Sequence, residues 1–497
     1  MLRKMFVGLG ITLAIVLMGA WLFWPKNFVA KGPFWDFLTG AQVEAPTKDM
    51  LESRFTLPEG FRIGVFAADV PHARMMRVTS EGDILVSSMR EGNVILLHAD
   101  KNNDGMADGR TVLMSGLDIP HGLALKSGYL YVAETGRIVR ARFDAKARAV
   151  GDVELVLDGI PPGGNHRTRT IGFGPDGMLY LTVGSTCNVC IEDHAYRAAM
   201  VRMKPDGSGA RIFARGLRNT VGFDWQPGTG HLYGTDNGRD LLGDDTPHCE
   251  LNLIEEGAFY GWPYAYDAKV PDPDYGAGHE AEIASSKPLV HGFGAHRAPL
   301  GIRFLTPGLE PLGYEGAALV ALHGSWNRST LAGYKVVSLH FGANGTVEQK
   351  DFLAGFEKDG DVIGRPVDMV QGPDGAIYVS DDYAGAIYRI SWGDMVASKE
   401  TALNDERPHP LADVTDAEVQ VMTMAGSVLF AANGCAACHD PASAADGVQV
   451  KELKALAQRY DIEGITGLLE VPPGPMPQYD LTAEEKRALA IYLLAKD

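Results

Sequence analysis

The chain has 497 residues, is 45% hydrophobic, contains 59 glycines, 28 prolines and 5 cysteines, and carries a formal charge of -18. This describes a large, turn-rich globular body with too few cysteines for a disulfide scaffold. The acidic balance argues against nucleic acid and against an anionic membrane surface, and suits neutral or basic partners.

Met1-Leu2-Arg3-Lys4 leads into an apolar run over residues 5–24, with Trp21, Trp24 and Trp35 near its far end. A helix of that length spans a bilayer. Arg3 and Lys4 keep the short leading side cytoplasmic and send the remainder across. Residues 1–30 therefore read as a membrane anchor or a cleaved signal segment. No small-X-small cleavage site follows the run at once, and its length favours an anchoring transmembrane helix. Either outcome exports the body, and the anchor places it at a bacterial inner membrane with its domains facing the periplasm.

From 55 to 393 one pattern recurs: an apolar strand, a Pro-Asp-Gly-like turn, and a second strand ending in small or polar residues. The clearest copies lie at 171–184, around Pro175-Asp176-Gly177, and at 367–380, around Pro373-Asp374-Gly375. Weaker copies lie at 78–88, 121–134, 221–236 and 312–323, and a large insertion around 250–300 fills the widest gap. Short strands joined by turns at a regular period are blades, none able to bury its own face without neighbours. The pattern predicts an all-β body over 55–393, a six-bladed β-propeller, because radial closure leaves few exposed edges. Such a fold presents its functional residues near the central channel and on the loops of one face. Within the first copies, residues 100–108 (Asp100, Asn102, Asp104, Gly105, Asp108) alternate acidic and amide groups up to a glycine. An EF-hand loop does the same, but here the flanks are strands and the final Glu is missing, which leaves a calcium loop or a polar turn.

The loops of the third to sixth copies are unusually polar for a scaffold. They carry Asn165-His166-Arg167, Gly216-Leu217-Arg218-Asn219, Asn237-Gly238-Arg239-Asp240, Glu250-Leu251-Asn252, Tyr260-Gly261-Trp262-Pro263, Trp326-Asn327-Arg328 and Gly364-Arg365-Pro366. His166 is a candidate general base, since an imidazole can be neutral near physiological pH. Arg218, Arg328 and Arg365 can converge on a polyanionic ligand. Clustered carboxylates, amides and Gly-rich carbonyls can hold calcium. Cys187-Asn188-Val189-Cys190 can close as a disulfide in an exported protein or, with Cys249 and His248, contribute to a metal site.

On these segments, residues 55–393 resemble the pyrroloquinoline quinone (PQQ)-dependent sugar dehydrogenases of the soluble glucose dehydrogenase type, in the sorbosone or pyranose dehydrogenase branch. The resemblance implies PQQ lying over the channel with calcium against it, and a sugar or sugar aldehyde as substrate. It assigns His166 as the base that takes the hydroxyl proton while hydride passes to the quinone. It assigns Arg218 and Asn219 to the quinone, Arg328 and Arg365 to its carboxylates, and Asn237, Gly238 and Arg239 to calcium, partly through main-chain carbonyls. The chain departs from the glucose enzymes, which carry Gln-Gly-Pro where Asn237-Gly238-Arg239 stands, and the Cys187–Cys190 insert rims the expected site. Alternatives from other classes are a calcium-dependent propeller lactonase, with a metal-activated water and no clamp for a quinone, and a non-catalytic binding propeller.

Residues 394–414 are polar, charged and Pro-containing, as a linker is. Beyond them, Cys435-Ala436-Ala437-Cys438-His439 has the spacing that takes two thioether bonds from a haem and a histidine to its iron. Pro472-Pro473-Gly474-Pro475-Met476-Pro477 cannot be helix and presents one methionine in an extended loop. Thr482 and Glu485 form a capping box ahead of a helix whose apolar residues at 488, 489, 491, 492 and 493 give it an inward face. Met422 and Met424 read as core. Residues 415–497 resemble the cytochrome c family, a small all-α domain, with haem c on Cys435 and Cys438 and axial ligands His439 and Met476. A tethered cytochrome can take the two electrons of a sugar oxidation one at a time, at raised effective concentration. It would then pass them to ubiquinone or to a cytochrome or terminal oxidase.

Overall fold

The computed structural model describes residues 29–342, 345–393, 410–411, 414–440, 443, 450, 453, 456–470, 472 and 476–496. The apolar run at 5–24 and nearly all of the linker lie outside them. No helix among the described residues is long and apolar enough to cross a membrane.

Among the described residues, six four-stranded antiparallel sheets follow one another along the chain as the blades of a β-propeller. They occupy 73–114, 123–157, 169–215, 220–294, 299–353 and 366–392. The last is completed by Phe61–Ala67, which pairs antiparallel with Ala386–Trp392, Ile63 opposite Ile390. The first strand of the repeat region thus supplies the fourth strand of the last blade, which the period alone does not reveal. Two compact units divide these blades. Pro161–Phe304 and Gly316–Pro366 hold the third to fifth blades, while Gln42–Ile160, Leu305–Glu315 and Val367–Asp497 hold the others and the C-terminal helices.

The blades form where the sequence alternates, and their first turns are set by the Pro-Asp-Gly chemistry. Asp176 Oδ1 accepts from the Met178 amide at 3.0 Å, and Asp374 Oδ1 from Ala376 at 3.1 Å. Gly177 and Gly375 take the positive φ (75° and 89°) that the turn requires. An arginine of the third strand then pins each turn: Arg202 on Asp176, and Arg389 on Asp374. One expectation is corrected. The fifth blade starts at Pro299–Phe304, not near 312; Leu312 is 95% exposed in a connecting loop, so an apolar residue there mimics a strand start. The insertion around 250–300 lies inside the fourth blade, whose third and fourth strands are Cys249–Leu253 and His291–Gly294.

A hydroxyl on the second strand ties neighbouring blades within each unit. Ser87 Oγ donates to the His121 carbonyl at 2.8 Å, Thr235 Oγ1 to Leu300 at 2.5 Å, and Ser380 Oγ to Arg74 at 2.7 Å. Each is a buried polar bridge from a second strand to the first strand of the neighbouring sheet, or to the residues leading into it. Removing the donor strands a buried carbonyl.

In the C-terminal helical segment Asp416–Ala432 packs on Ala483–Ala495, with Phe430 and Tyr492 rings 5.6 Å apart. Gly426 permits the crossing, since a Cβ there would lie 2.3 Å from the Ala488 carbonyl. Thr482 and Glu485 make the full capping box. The inward face is Ala488 to Ile491 with Leu494, one step from the expected set, because Tyr492 and Leu493 sit at its margin. Met422 packs on this core; Met424 does not and is 66% exposed.

Thr235→Val keeps the shape and removes the tie to Leu300. We expect a loss of about 1–3 kcal/mol in unfolding free energy, read from denaturant titration. An unchanged midpoint would show that the tie carries no stability.

Candidate active site

His166 sits in the loop between the second and third blades, partly buried, and the loop is shaped from beneath by two buried arginines. Arg169 donates to the carbonyls of His166, Thr168 and Pro161 at 2.8–2.9 Å. Arg197 donates to Pro161, Pro162 and Gly163 at 2.7–2.9 Å, and to Gly184 and His166 at 3.2 and 3.3 Å. Burial, then Arg197, pushes the Arg169 guanidinium down to about 9. Gly184 is the close approach in the site: a Cβ there would lie 2.5 Å from Asn219 Oδ1 and 2.7 Å from His166 Cβ.

The imidazole has a defined tautomer. His166 Nδ1 lies 2.9 Å from the Ser185 carbonyl and 3.0 Å from its hydroxyl. A carbonyl only accepts, so Nδ1 carries the proton and Nε2 keeps its lone pair. Burial, followed by the nearby Arg218 charge, lowers the ring's pKa to about 3. The residue is therefore a neutral imidazole across the physiological range, able to accept a proton at Nε2.

Arg218 is the hub beside it. Its Nε donates to Asn188 O (2.9 Å), its Nη2 to Asn188 Oδ1 (2.9 Å), and its Nη1 to both Asn237 O (3.0 Å) and Gly238 O (2.8 Å). Asp240 lies 3.7 Å from Nη2 and also 3.5 Å from His296 Nδ1, while His296 Nε2 donates to Gly243 O at 2.7 Å. Burial alone would lower the His296 pKa; the Asp240 carboxylate and the Gly243 carbonyl outweigh it and raise it. Asn219 is held by its amide, which donates to Asp236 Oδ1 at 2.6 Å. Burial raises Asp236 to about 6 and its cross-strand neighbour Glu250 to about 8.

Arg328 meets the 244–245 loop, and Arg365 meets the His323–Gly324 turn. Arg328 bonds Asp244 O and Asp245, and its charge acts on His296. Arg365 donates to His323 O (3.2 Å) and Gly324 O (3.1 Å), and Gly324 N in turn bonds Arg297 O. Buried Nε atoms of Arg297 and Arg328 have no hydrogen-bond acceptor. Unanswered guanidinium donors of this kind are what a carboxylate-bearing ligand satisfies.

The structure thus brings His166, Arg218, Asn219, Asn237 and Gly238 into one network and links Arg328 to it through His296. Arg239 is closed off instead, bonded to both oxygens of Asp272 (2.9 and 2.6 Å) and to Asp274 (3.0 Å). Asn237 O and Gly238 O converge on one positive group, the arrangement that suits a cation, and at present that group is Arg218. Cys187 and Cys190 form a disulfide, so their sulfurs are not paired with Cys249 and His248 for a metal; Cys249 is buried. In the 100–108 loop the side chains of Asp100, Asn102 and Asp104 accept amides of the loop itself. The sequence gives no role to Asn188 or Asp240 and does not single out His296 or Arg197; only the juxtaposition of separate loops marks them.

In the helical segment Cys435 precedes the single-turn helix Ala436–His439, which carries Cys438, and both thiols are free. Met476 packs half-buried at the edge of the helical core. Residues 473–475 of its proline-rich loop lie outside the described residues.

Residues 71–389 match the family model described as Glucose / Sorbosone dehydrogenase. The chain belongs to that family. It is also 29% identical to a protein of Borreliella burgdorferi over 357 residues, 68% of this chain and 91% of that one. Two solved structures share the fold. The calcium structure of a Trichoderma reesei enzyme of carbohydrate-active family AA12 matches with TM-score 0.62 at 20% identity, covering 68% of this chain and 97% of that one. The holo form of the pyranose dehydrogenase PQQ domain from Coprinopsis cinerea matches with TM-score 0.58 at 21% identity, covering 68% and 97%. Membership places the chain in a family described as glucose and sorbosone dehydrogenases, which are oxidoreductases.

The depressed His166 pKa has a stability consequence. The unfolded chain takes up that proton near pH 6.5 and the folded chain only near 3, so His166 makes stability fall as pH drops through that interval. His166→Gln should lose less melting temperature between pH 6.5 and pH 4.5 than wild type does. Parallel curves would show that the ring is not held neutral.

Proposed function

We propose that this chain oxidises a sugar or sugar aldehyde with PQQ as acceptor and relays the electrons through a covalent haem c to the respiratory chain. The observation that carries the reading is a neutral imidazole with a free Nε2 lone pair beside the buried Arg218 guanidinium, in a chain of this family. His166 takes the proton of the substrate hydroxyl at Nε2, held in the correct tautomer by Ser185. The quinone, when bound, supplies the hydride acceptor. Arg328 and Arg365, with Arg297, would meet its carboxylates, and Arg218 and Asn219, which lie beside His166, its ring oxygens. Calcium fits the converging carbonyls of Asn237 and Gly238, where it would compete with Arg218 Nη1; Arg239 would contribute main chain only. Among the described residues no group of three carboxylates converges as a lactonase calcium cage requires.

Cys435 and Cys438 stand one turn apart with free thiols, as thioether attachment needs, and His439 and Met476 are the proposed axial ligands. The N-terminal run would hold the assembly at the bacterial inner membrane, facing the periplasm, near ubiquinone or a terminal oxidase.

The test is full-length protein made with haem-maturation machinery and reconstituted with calcium and PQQ. Aldoses, ketoses and sorbosone would be supplied and haem reduction followed by absorbance. We expect substrate-dependent haem reduction. His166→Gln should lower turnover by roughly 100- to 10,000-fold while PQQ still binds. Failure to bind PQQ would end the dehydrogenase reading. Cys435→Ala should abolish the covalent haem band on a denaturing gel, and sugar oxidation without haem reduction in wild type would end the relay.

A further inference from the structure

We propose that the turn closed by the Cys187–Cys190 disulfide is a positioning element of the site, and that Asn188 is the residue through which it sets Arg218 against His166. The contacts are independent of the function proposed above; only the consequence for turnover rests on it. Asn188 spends every polar atom but its backbone nitrogen on the site. Its Oδ1 accepts from Arg218 Nη2 at 2.9 Å and from the Asp240 amide at 2.8 Å, its Nδ2 donates to Asp240 O at 3.0 Å, and its carbonyl accepts from Arg218 Nε at 2.9 Å. The same turn reaches the base from the other side. Cys187 O accepts from Ser185 Oγ at 2.8 Å, and that hydroxyl oxygen lies 3.0 Å from His166 Nδ1.

The turn belongs to no strand or helix, so nothing in a regular hydrogen-bond ladder holds it. The cross-link between residues three apart does so, by restricting the conformers from which Asn188 can be presented. Both cysteines are partly exposed, so a thiol reductant can reach them. The charged groups acting on His166 are Arg218, Asp240 and Arg197. Arg197 is anchored by five carbonyls of its own, whereas Arg218 depends on Asn188 for its Nε and Nη2 bonds. Opening the turn therefore frees Arg218 selectively, weakens its repulsion of a proton on His166, and makes the imidazole easier to protonate.

The experiment follows the His166 ring carbon by NMR in full-length protein carrying 13C-labelled histidine, with His166→Gln to assign the signal. In the oxidised protein the ring should stay neutral from pH 7 to pH 5. In C187S/C190S, in Asn188→Ala, and in native protein reduced with dithiothreitol, it should bind protons at least tenfold more tightly and begin to titrate at the acid end of that window. Reoxidation should restore the original behaviour, which covers the case in which a variant fails to fold. Identical titration in oxidised and fully reduced protein overturns the proposal. With PQQ bound, the same variants should lose at least tenfold in kcat with the sugar KM little changed. A protein that oxidises no sugar yet shows the His166 shift supports the positioning role and overturns the dehydrogenase reading.

Discussion

A buried guanidinium is the constraint around which the site is organised. Arg218 is 5% exposed and carries a charge that does not dissociate, so folding must bring it acceptors or leave it uncompensated. Two loops distant in sequence provide them, 187–190 and 237–240. Each presents carbonyls or amide oxygens, and Asp240 adds a carboxylate 3.7 Å from Nη2. The cost of leaving any of these donors unmade is what holds the loops at one place. His166 then acquires its electrostatic character from that placement, since burial and the same guanidinium both disfavour its protonated form.

The scaffold makes that convergence possible. Loops leaving the same end of three consecutive blades come close because the inner strands are tied by buried hydroxyls, Thr170 on Val221 and Thr235 on Leu300. At the narrowest point no side chain fits, and Gly184 lets Asn219 and His166 share the space. Beneath the loop, Arg169 and Arg197 gather a run of its carbonyls and fix its path. Stability and chemistry therefore draw on the same groups, and a substitution intended to test one perturbs the other unless its readout separates them.

Much of the fold was legible in the residues because its signals are local. The Pro-Asp-Gly turns at 175–177 and 373–375, the alternation of the flanking strands, and the capping box at Thr482 act within a few residues of themselves. The errors were of a matching kind. Leu312 imitated a strand start because periodicity sees apolarity and not exposure, and the pairing of Phe61–Ala67 with Ala386–Trp392 was invisible because its partner lies at the far end of the repeat region. In the site, His166, Arg218 and Asn219 stood out as polar residues in Gly-rich loops. Asn188 did not, since an amide between two cysteines carries no chemistry until Arg218 is placed against it.

By itself the sequence determined the residue types available: a histidine, several arginines, a Cys-X-X-Cys-His, a disulfide-capable turn, and six strand-turn-strand units to carry them. Those follow from short-range sterics and hydrogen bonding, which need only neighbouring residues. Tertiary structure alone decided which cations face the base and which are spent elsewhere. It joined Arg218 to His166 and closed Arg239 onto Asp272 and Asp274, although both arginines lie in equally polar loops. The physical reason is that charge interactions and desolvation depend on distance and burial, and neither is written in the order of the residues.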